Sequence, residues 1–92
     1  MPDFLLIDDH AIIRTGMKMI IKNFLPGCNI DEAEEGNIAF EKIKQKEYDL
    51  LILDVNMPNT DSLQLISTML SLQPKLKIRM FSMNSEEIYA KR

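Results

Sequence analysis

The sequence has no tryptophan, one cysteine, one histidine and three glycines. A lone cysteine forms no internal disulfide, and Met1-Pro2-Asp3 lacks the basic segment and small-residue cleavage site of a secretory signal, so a reducing cytoplasm is the expected setting. No apolar run approaches the ~20 residues that cross a bilayer, which argues against membrane insertion. Basic residues are outnumbered, eleven against fourteen acidic, and a net charge of −3 removes the footprint of a domain that grips nucleic acid by itself. What remains is a chain of 92 residues, 46% hydrophobic and 27% charged, which suits one small globular domain spanning 1–92.

Short apolar runs alternate with helix-period stretches, the signal for βαβ units and a parallel sheet. Phe4 to Ile7 reads as the first strand. A helix follows with Ile13, Met17, Ile20 and Phe24 on one face and Arg14, Lys18 and Lys22 on a solvated one, stopped at Pro26-Gly27. Cys28 to Ala33 makes a weaker strand in which Cys28 serves as a small buried hydrophobe. Ala39, Phe40 and Ile43 give the inward stripe of a helix running to about Lys46. Leu50 to Leu53, uninterrupted, suits a strand buried on both faces. Met57 to Asp61 is a turn, and Leu63, Ile66, Met69 and Leu70 form the stripe of a third helix that stops before Pro74. Ile78 to Phe81 is the fourth strand, and Asn84 or Ser85 with Glu86 and Glu87 opens a fourth helix. The fold class is therefore α/β, a doubly wound parallel sheet, with its chemistry at the strands' C-terminal edge.

Asp8 and Asp9 end the first strand and Asp54 ends the third, so this topology gathers three carboxylates at that edge. Such crowding either raises a pKa or is neutralised by a divalent cation, for which magnesium is the natural occupant. Successive strand residues point to opposite faces, so one of Asp8 and Asp9 ligates directly and the other through water. The plainer alternatives are an N-cap role for Asp9 and a turn role for Asp54. Ser82, ending the fourth strand, places a hydroxyl at the same edge, where it can donate to an anion held by the metal. His10 reads as a surface or capping residue, because nothing marks it as a triad base.

Asp8-Asp9-His10 after one apolar strand, Asp54-Val55-Asn56-Met57-Pro58 after another and Phe81-Ser82 on a fourth are together similar to the receiver domain of two-component response regulators. Arg14 and Gly16 extend the likeness to the subfamily whose receiver precedes a helix-turn-helix DNA-binding domain. The resemblance implies a flavodoxin-like receiver fold in which Asp54 accepts a phosphoryl group from a sensor histidine kinase. It also implies that Asp9 binds Mg directly, Asp8 largely through water and Asn56 through its main-chain carbonyl, that Ser82 reorients toward the phosphoryl group, and that Met83 influences access. Helix 1 is where kinases dock in that family.

Two departures accompany the likeness. Ser62 stands where the family usually has glycine, and a site favouring positive φ would cost a non-glycine residue ~1 kcal/mol. The sequence also stops at Arg92, before the family's fifth strand with its lysine and its fifth helix, so the strand 4 edge and the apolar side of helix 1 are expected to be exposed and to drive self-association. DNA contact would then need a C-terminal domain missing from these residues. The competing functions are a degenerate receiver used only for dimerisation or docking, and a metal-dependent phosphohydrolase, for which the sequence lacks an Asp-x-Asp element.

Overall fold

The computed structural model describes residues 2–57 and 60–82. The elements run β1 (Asp3–Ile7), α1 (Ala11–Phe24), β2 (Asn29–Ala33), α2 (Gly36–Gln45), β3 (Leu50–Asp54), α3 (Ser62–Leu72) and β4 (Lys77–Phe81). The strands are all parallel in the order β2-β1-β3-β4, the doubly wound arrangement expected from the alternation. The expected fourth helix, its caps and Met83 lie outside the described residues, as does Pro58-Asn59 of the turn.

Strand alternation sends the larger part of the core to one face, with Phe4 and Leu6 of β1 buried on the other. Leu5, Ile7, Leu51 and Leu53 point toward α2 and α3, where they pack with Ala39, Ile43, Tyr48, Met57 and Met69. Gly36 opens α2 at its closest approach to α3: a Cβ there would stand 3.4 Å from both Leu65 and Thr60. The α3 stripe differs from the sequence expectation. Met69 is buried and Ile66 and Leu65 pack on the core, whereas Leu63 is 74% exposed and Leu70 also faces outward. Positions 62, 65, 66 and 69 form the inner face, and leucines 63 and 70, seven residues apart, share the outer one.

The opposite face is covered over β1, where Phe4 and Leu6 are buried, but less so over β3. Leu50 and Ile52 are only half-buried, so β3 is not sealed on both sides as its unbroken run suggested. No residue of α1 is buried, and Ile20 and Phe24, expected to face inward, are 60% and 76% exposed. Their stripe is apolar enough for a core, but no described element lies across it. β4 closes the sheet as an edge strand, with Met80 exposed.

The N-terminal end of the sheet is held by polar clamps. Tyr48 donates its phenol to Asp31 at 2.6 Å, and Lys46 pairs with Asp31 at 3.1 Å and with Asp3 at 3.2 Å. The Gln73 carboxamide donates to the Ile43 and Lys46 carbonyls and accepts from the Tyr48 N–H, joining the ends of α2 and α3 to the entry of β3. These bonds satisfy main-chain groups that a helix end leaves unpaired.

Candidate functional site

The sheet register builds the site. Ile7 pairs with Leu53, so the next residues, Asp8 and Asp54, stand side by side where β1 and β3 end. Phe81 pairs with Asp54, which places Ser82 one step beyond on the neighbouring strand. Asp8 and Asp54 are 0% and 1% exposed, and in each one carboxylate oxygen, Oδ2, has no hydrogen-bond partner among the described residues. Burying a carboxylate oxygen without a donor is unfavourable, so such a pair suits a cation. Asp9 completes the acidic trio from the exposed side and reaches the rim of a groove of about 650 Å³ between α2 and α3.

The Asp54 carboxyl is raised above its ordinary range, chiefly by burial. The Asn56 N–H, donating to Asp54 Oδ1 at 2.9 Å, opposes that rise, while Asp8 adds to it. That N–H bond is an Asx turn, so the turn role and the site role of Asp54 coexist. The Asn56 side chain donates to Ser82 Oγ at 2.6 Å and thereby links the β3–α3 loop to the end of β4.

Sequence reasoning missed His10. It occupies the N-cap position of α1, which removes the capping alternative for Asp9, but its side chain makes no capping bond. Instead Nδ1 lies 2.9 Å from Asp8 Oδ1, 3.0 Å from Asp9 Oδ1 and 4.0 Å from Asp54 Oδ2. The hydrogen bond to Asp8 and then the charge of Asp9 raise the imidazole above its usual range. Adjacency to two clustered carboxylates was the one available hint, and the bend after Ile7 decides which way the ring points.

Arg14 also departs from expectation. Its guanidinium is not on a solvated face but donates to the Asp8 carbonyl at 2.5 Å and pairs with Glu32 at 2.9 Å, with Lys18 on the other oxygen of Glu32. Ser62 needs no positive φ. It is the first residue of α3, its hydroxyl donates to the Val55 carbonyl, and Asp61 caps the helix by accepting from the Gln64 N–H.

Fold and site define a flavodoxin-like α/β module with paired buried carboxylates at the C-terminal edge of its sheet. The response regulator receiver domain model matches residues 4–92, and the chain belongs to that family. It is 37% identical over 86 residues to the oxygen regulatory protein NreC of Staphylococcus carnosus, covering 91% of this chain and 39% of that protein. It is 32% identical over 83 residues to the nitrate/nitrite response regulator protein NarL of Escherichia coli, covering 90% and 38%. The chain therefore spans about two-fifths of either relative. Among solved structures, the response regulator TrrA of Thermotoga maritima in complex with Mg²⁺-BeF superposes with a TM-score of 0.82 at 31% identity, over 94% of this chain and 73% of that one.

Proposed function

We propose that this chain is a phosphoacceptor switch in which Asp54 takes a phosphoryl group from the phosphohistidine of a sensor histidine kinase in a Mg²⁺-dependent reaction. The observation that carries this reading is the pair Asp8 and Asp54, fully buried, each with an unpartnered oxygen. An Asp54 oxygen attacks phosphorus, the P–N bond breaks, the kinase imidazole leaves, and an acyl phosphate remains. Phosphoryl transfer asks mainly for positioning and charge stabilisation, and the Asn56 N–H fixes the Asp54 carboxylate for in-line attack. Bound Mg²⁺ supplies neutralisation of the clustered charge. Asp9 would hold it directly, Asp8 largely through water, and Asn56 by its main-chain carbonyl. Ser82, whose Oγ accepts from the Asn56 carboxamide, would turn its hydroxyl to donate to a phosphoryl oxygen.

The added charge of about −1.5 to −2 then biases a two-state surface, so the module is modified once per signal and does not turn over a substrate. The exposed side of α1 is the proposed docking and self-association surface, together with the β4 edge. Transcriptional output, as in the NarL type, is placed outside these residues, in a DNA-binding domain. None of the described helices is long and apolar enough to cross a membrane, and the cytoplasm is the proposed compartment.

Intact-mass measurement after incubation with a small acyl phosphate and Mg²⁺ tests the reading. The expected result is the mass of one added phosphoryl group, lost in Asp54→Asn. No addition to the wild-type chain would instead favour a module used only for docking.

A further inference from the structure

We propose that His10 is itself a metal ligand, through Nδ1, and that with Asp8, Asp9 and Asp54 it forms a mixed nitrogen and oxygen site suited to a first-row transition cation. The inference rests on reading the acidic cluster as a cation site and goes beyond it in naming a fourth side chain, a direct role for Asp8 in place of the water-mediated one, and the class of ion the site selects.

The distances fit coordination. An octahedral cation with bonds of about 2.1 Å sets neighbouring donor atoms roughly 3.0 Å apart and opposite ones roughly 4.2 Å apart. Nδ1 lies 2.9 and 3.0 Å from the Asp8 and Asp9 oxygens and 4.0 Å from Asp54 Oδ2, and one donor atom from each of the four side chains falls within 4.8 Å of the others. Two neighbours and one opposite partner are thus already spaced for a single ion. Asp54 Oδ2, 4.0 Å from Nδ1, is buried without a hydrogen-bond partner among the described residues.

Chemistry selects the ion. Mg²⁺ prefers a shell of oxygens, whereas imidazole suits the later first-row cations, whose affinity for a nitrogen and oxygen site rises along the series from Mn²⁺. The His10 ring can serve, because α1 does not use it as a cap, it is 56% exposed, and a bound ion would take the place of the proton it now shares with Asp8. Replacing it therefore leaves the helix start and the core intact.

Mn²⁺ is the probe, since its paramagnetism reports directly bound nitrogen, and His10 is the chain's one histidine, so on a tag-free chain every imidazole signal belongs to it. The expected result is one bound Mn²⁺ whose electron spin-echo modulation shows directly coordinated ¹⁴N. That signal disappears in His10→Gln and His10→Ala, Mn²⁺ affinity falls about tenfold or more, and Mg²⁺ affinity measured by competition falls less. Mn²⁺ bound without the nitrogen signal, or with equal affinity in the variants, would overturn the inference and leave the cation site standing. No Mn²⁺ binding at all would overturn both. Should either variant misfold, the wild-type nitrogen signal alone still decides.

Discussion

Arg14 of α1 is joined to the main chain of Asp8, the residue after β1: the guanidinium donates to the Asp8 carbonyl at 2.5 Å while Glu32 holds it at 2.9 Å from β2. The arginine thus fixes the backbone that presents Asp8, Asp9 and His10. Partners behind a ligand of this kind are worth roughly 10–100-fold in metal affinity, so Arg14→Ala is expected to weaken Mg²⁺ binding about tenfold, with partial recovery in Arg14→Lys. A calorimetric titration showing unchanged affinity in folded Arg14→Ala would sink the positioning role.

Asp54→Asn is expected to stabilise the metal-free fold by about 1–2 kcal/mol, because it removes a buried charge with an unpartnered oxygen and offers a donor toward Asp8. Saturating Mg²⁺ should narrow or reverse that gap, since an ion at ~100 times its Kd adds about 2.7 kcal/mol to whichever form binds it. Urea unfolding with and without Mg²⁺ measures both. A variant less stable than wild type without metal would contradict the electrostatic reading of the pair.

Asp31 is held below its ordinary range, first by the Tyr48 phenol and then by Lys46, with burial opposing. A depressed carboxyl contributes stability that is present above its unfolded pKa and lost as pH falls through the folded one. Tyr48→Phe should therefore cost about 1 kcal/mol near neutrality, a value reduced for the partial exposure of Asp31, and the difference should shrink in acid below about pH 4. A gap that widens on acidification would show that the phenol acts in some other way.

Removing the Gln73 carboxamide takes partners from the part-buried Ile43 carbonyl and Tyr48 N–H together, and from the exposed Lys46 carbonyl, which water can satisfy. Gln73→Ala is expected to destabilise by about 2–3 kcal/mol, against under about 0.5 kcal/mol for an exposed residue of the same helix such as Ser67. Equal losses from the two alanine variants in thermal unfolding would rule the clamp out.

Ile20→Lys and Phe24→Glu place charges on the exposed side of α1. Burying such side chains in an interface is worth about 1.5–3 kcal/mol each, so either variant should raise the self-dissociation constant about tenfold or more. Sedimentation across a concentration series gives the constant. Unchanged association in both variants would move the interface away from this helix.

The strand ends were legible because Phe4 to Ile7 and Leu50 to Leu53 are short apolar runs, each closed by aspartate, and the crossover rule alone places those aspartates together. Amphipathic periodicity says which helix positions share a side but not whether anything covers that side, which is why Ile20 and Phe24 read as core and Leu63 as inward when all three are exposed. The roles of Arg14 and His10 depend on how the chain bends after Ile7, a geometry that spacing does not encode. Ser62 was read against a glycine in related loops, but where α3 begins is settled by the Asp61 cap.

Gln73 and the Tyr48–Asp31–Lys46 clamp all lie at the end of the sheet away from Asp54. The molecule has a stiff floor, while at the rim the Asn56–Ser82 side-chain bond and the Val55–Phe81 main-chain bond tie the β3–α3 loop to β4. A disturbance arriving at the rim is therefore confined there and displaced sideways toward β4, with the opposite end serving as a fixed anvil.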